Sequence, residues 1–85
     1  MNKQLEPAFS LGILKKVQEI YRTGDMPLTV AFNQAVEGIA MAAFPAYRHL
    51  MGHVGADYQF LSDAEQVNGK SWCLEMLNQA IGGLE

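Results

Sequence analysis

The sequence predicts an all-α fold: a small bundle of three to four helices around a central apolar Ala/Gly-rich helix. Three observations carry this. The apolar residues recur at helical spacing, i, i+3, i+4, and no alternating stretch longer than a few residues suggests a strand. Gly and Pro punctuate the chain at helix-length intervals. The segment Ala35–Tyr47 carries one charge in thirteen residues and is rich in Gly and Ala. As a helix it would be apolar nearly all round, so it must be buried against something.

The first helix is expected from about Pro7 or Ser10 to Thr23. Ile13, Leu14, Val17, Ile20 and Tyr21 form its apolar stripe, and Lys15, Lys16, Gln18, Glu19 and Arg22 face water. Gly24 stops it. A second helix starts near Pro27–Thr29 and buries Leu28, Phe32, Ala35, Val36, Ile39 and Ala43. Pro45 interrupts this pattern, because a proline inside a helix removes a hydrogen bond and clashes with the carbonyl four residues back. One helix is therefore expected to end near Ala43 and a short one to run from Ala46 to Val54, with Tyr47, Leu50, Met51 and Val54 inward. Residues 55–60 form a loop whose aromatics, Tyr58 and Phe60, fold back over the core. Ser62-Asp-Ala-Glu65 reads as a capping box, in which the serine hydroxyl and the glutamate carboxylate satisfy free backbone donors. The helix it opens runs to about Ile81, with Val67, Leu74, Leu77 and Ile81 on one face and Gly82-Gly83 as its stop.

Eighty-five residues make one small domain, assigned to residues 1–83. Leu84-Glu85 reads as a cloning scar. The hydrophobic fraction is 49%, ordinary for a globular chain, but charged residues make up only 18% against a typical ~25%. Such a surface is short of charge, and the apolar patches that result mark a partner or a second copy. The net charge of −3 argues against a phosphate-backbone binder, which needs a basic face. Lys15, Lys16 and Arg22 are the only basic cluster, and Glu19 shares their surface. No stretch supplies the ~20 apolar residues of a membrane span. A lone cysteine, Cys73, forms no internal disulfide and points to a reducing compartment, so a cytoplasmic protein is expected.

The chemistry-bearing residues are few. His49 and His53 are one helical turn apart, a spacing that can hold a metal, and Cys73 is a candidate third ligand. The residues between the histidines, Leu50-Met-Gly52, lack the glutamate of a zinc protease. Cys73 beside Trp72 in an amphipathic helix suits a small buried hydrophobe better than a nucleophile. Neither paired catalytic carboxylates nor a phosphate-binding glycine loop is present. The expected function is thus non-enzymatic: an interaction or regulatory module with no cofactor, binding a partner protein or itself through Met41, Ala42 and Ala46 on the far side of the central helix. The alternative is a small metal-binding protein built on His49, His53 and Cys73.

Overall fold

A computed structural model of the chain describes residues 5–38, 43–54 and 58–85. Among them are five α-helices and no strand: α1 (Leu5–Thr23), α2 (Leu28–Ala35), α3 (Ala43–Val54), α4 (Leu61–Asn68) and α5 (Lys70–Leu84). No helix among the described residues is long and apolar enough to cross a membrane.

The first stripe forms as its spacing predicts. Ile13, Leu14, Val17 and Tyr21 are buried, with Ile20 partly so, while Lys15, Lys16, Glu19 and Arg22 are exposed. The Gly24 amide donates to the Ile20 carbonyl at 2.8 Å and closes the last turn. α1 packs against α2, α3 and α5, and α3 and α4 also pack against α5. The amphipathic N-terminal helix is therefore the hub of the described fold. Its buried side chains join Leu28, Phe32, Leu50, Leu61, Leu77 and Ile81 in one continuous core. Burying each such side chain fully is worth about 1.5–3 kcal/mol.

The Ala/Gly-rich segment does not form one helix through its described part. α2 ends at Ala35, and residues 36–38 make a turn in which the Val36 amide bonds the Phe32 carbonyl and the Glu37 amide bonds the Gln34 carbonyl. Gly38 has φ +85°, a left-handed conformation that glycine adopts without a Cβ penalty. Gly38 therefore closes a turn and is not part of a helix. Pro45 is the third residue of α3, inside the first turn, where a missing N–H leaves no bond unmade. The break between the two helices therefore lies before Ala43 rather than between Ala43 and Pro45. Ile39, Ala40, Met41 and Ala42 lie outside the described residues.

The C-terminal half departs further. In place of one long helix from Ser62 to Ile81 there are two, α4 and α5, separated by Gly69 at φ +88°. α4 begins one residue earlier than a Ser62 cap requires. Its N-cap is Phe60, without a side-chain cap bond, and Ser62 is already the second helical residue. The capping box is thus absent. Val67, expected in the apolar stripe, is exposed, because the Gly69 break re-aims α4 relative to Leu74, Leu77 and Ile81 on α5. Phe60 is likewise exposed, whereas Tyr58 packs against the core. Gly82-Gly83 does not end α5, which continues to Leu84.

Candidate functional site

Three places gather groups that could do chemistry or bind. The first is built around Glu65, whose side chain leaves α4 and reaches two other elements. The Tyr21 hydroxyl of α1 donates to Glu65 Oε2 at 2.6 Å, and the Leu28 amide donates to Oε1 and Oε2 at 3.1 and 3.2 Å. Leu28 is the first residue of α2, and Pro27 offers it no capping side chain. Glu65 therefore supplies from α4 the anionic cap that α2 lacks, at the positive end of that helix dipole. Lys70 closes the arrangement from α5. Its ammonium donates to the Gly24 carbonyl at 3.1 Å and lies 5.2 Å from the centre of the Tyr21 ring.

Cys73 lies beside the same group and is fully buried. Burial pushes its thiol pKa up, and the Glu65 carboxylate pushes it further, outweighing a hydrogen bond with Tyr21. The Tyr21 phenol is held far above its ordinary value by burial, then by its hydrogen bond to Glu65. Both groups keep their protons, so neither is an activated nucleophile or base at neutral pH. The cluster is a structural tie joining α1, α2, α4 and α5.

Its pH dependence follows. The unfolded chain loses the thiol and phenol protons near the ordinary 9.0 and 10.0, whereas the folded chain retains them to higher pH. Raised folded-state values give stability that is present below the unfolded values and lost as pH climbs through the folded ones. Above about pH 9 the thiol, and above about pH 10 the phenol as well, is expected to lower stability by up to about 1.4 kcal/mol per pH unit. Thermal melts should fall progressively from pH 9 upward, and Tyr21→Phe should flatten the part above 10. A melting temperature constant from pH 8 to 11 would contradict this burial.

The second place is the histidine pair on α3. His49 and His53 stand with ring centroids 5.0 Å apart, and His49 Nε2 lies 2.9 Å from the Ala80 carbonyl oxygen. The structure keeps these two imidazoles together and sends Cys73 elsewhere, to Tyr21. No group of three or more His, Cys, Asp or Glu side chains among the described residues is placed to hold a metal.

The third place is a groove of about 380 Å³ between α2, α3 and α4. Thr29, Phe32, Asn33 and Val36 line one wall, at i, i+3, i+4 and i+7 along α2 and the residue that caps its end; Phe44 and Tyr47 line the other, and Leu61 contributes from α4. Phe32 and Tyr47 meet edge to face at 5.7 Å, an arrangement aromatic rings favour. Phe44 is 65% exposed, with the Arg48 guanidinium 5.5 Å from its ring centre.

Of the residues read from the sequence as an interaction surface, Met41 and Ala42 lie outside the described residues. Ala46 is fully buried in the core, so it presents nothing to a partner. It sits on α3 one turn before Leu50, on the face turned toward the other helices. Helical periodicity alone marks Phe32, Val36 and Tyr47 as core, with nothing to distinguish a groove wall from an interior. Only the placement of α3 against α2 leaves a gap between them.

No protein-family model matches this chain, and no curated protein or solved structure matches it either.

Proposed function

We propose that the protein is a non-enzymatic interaction module, working in a reducing compartment such as the cytoplasm. Its groove between α2, α3 and α4 takes an apolar segment of a partner protein or of a second copy. The open groove beside the 65% exposed Phe44 carries this reading. An exposed aromatic at the rim of an apolar cleft is the kind of anchor that concentrates binding energy. Thr29 and Asn33 add polar groups that can fix the orientation of what enters. Tyr21 and Cys73 hold their protons and are buried, which supports a role outside catalysis.

Phe44→Glu tests the reading. The side chain is exposed, so the variant should melt within about 0.5 kcal/mol of the parent chain. It should also weaken self-association in sedimentation, or abolish the binding of an apolar fluorescent dye to the monomer. A chain that stays monomeric at high concentration, with dye binding unaffected by Phe44→Glu, would overturn the proposal.

A further inference from the structure

The two imidazoles of α3 meet the end of α5 in a particular way. His49 and His53 have ring planes inclined at 61° to each other. A Cβ on Gly83 would lie 3.6 Å from His53 Nε2 and 3.7 Å from His49 Nε2. Both nitrogens therefore border one small space, left open because residue 83 has no side chain. That space is at the C-terminal turn of the 15-residue α5, where free carbonyls give the helix end a partial negative charge that favours a cation. Both histidines are half-buried, which leaves water access to the rings.

We propose that His49 and His53 bind a divalent transition-metal ion between α3 and the last turn of α5. Imidazole nitrogen suits Zn²⁺, Ni²⁺ and Cu²⁺, and two histidines four apart on one helix can share such an ion. On binding, His49 exchanges its contact with the Ala80 carbonyl for the metal, and water fills the positions the protein leaves empty. Two protein ligands make this a site that loads and unloads, unlike the closed four-ligand sites that hold small folds together. An ion there would join α3 to α5 and stabilise the folded chain by an amount that grows with the logarithm of its concentration above the dissociation constant.

The test is calorimetric titration of the untagged chain with Zn²⁺ and, separately, with Ni²⁺. One equivalent is expected to bind. Loss of even an outer partner of a metal ligand typically costs about tenfold in affinity, so His49→Gln and His53→Gln should each weaken uptake by at least that factor. Glutamine keeps a polar side chain in place, and helical circular dichroism confirms that both variants fold. Gly83→Ala puts a methyl group into the shared space and should also weaken binding. Cys73→Ala should leave uptake unchanged. No uptake by the parent chain, uptake unaltered in either histidine variant, or uptake lost in Cys73→Ala would each overturn the proposal.

Discussion

Glu65→Ala is expected to lower stability by roughly 2–6 kcal/mol, from two groups stranded at about 1–3 kcal/mol each. The Tyr21 hydroxyl, on a fully buried residue, loses its acceptor, and the first amide of α2 loses its cap. Ser62→Ala, by contrast, should change stability by less than about 0.5 kcal/mol, because Ser62 lies within α4 and caps nothing. Denaturant midpoints of the two variants decide the matter. A loss of about 1 kcal/mol in Ser62→Ala, the usual cost of a missing N-cap, together with a neutral Glu65→Ala, would restore the local capping box. Tyr21→Phe combined with Glu65→Ala should cost less than the sum of the two, since they remove one shared hydrogen bond.

Ala46→Glu is expected to abolish cooperative folding. Ala46 is fully enclosed, and an unpaired carboxylate there costs on the order of 3–5 kcal/mol or more. A domain of 85 residues has a total stability of only about 4–13 kcal/mol at the usual 0.05–0.15 kcal/mol per residue. The comparison is with Phe44→Glu, two positions earlier on the same helix, where the new charge faces water and the fold survives. Near-native thermal melting of Ala46→Glu would place Ala46 on the surface after all.

Local signals worked where a single helix buries a single stripe. α1 needed only the spacing of Ile13, Leu14, Val17 and Tyr21 and the stop at Gly24. The start of α2 after Pro27 and the inward residues Leu50 and Val54 of α3 were readable for the same reason. The signals failed where one pattern fits two structures. Ser-x-x-Glu is a capping box only if the chain enters the helix at the serine. Here the chain enters at Phe60, and the glutamate faces a neighbouring helix instead of its own first turn. Alanine offers too little polarity contrast for periodicity to tell a buried face from an exposed one, and Ala46 lies on the buried side. Gly38 and Gly69 could each have been a close-packing point within a helix or a break between two, and both positions proved to be breaks.

The helical class and the amphipathic face of α1 are legible from residues close along the chain. So is the placement of His49 and His53 on one side of a helix, because each of these depends on residues within a turn or two of one another. Helix packing, by contrast, makes Glu65 the cap of α2, sets Cys73 beside Tyr21 and not with the histidines, and leaves Phe32, Val36 and Tyr47 bordering a groove beside Phe44. Those outcomes join residues 37 or more positions apart or depend on how separate helices pack, and helical periodicity within one segment carries no information about which distant segment will face it.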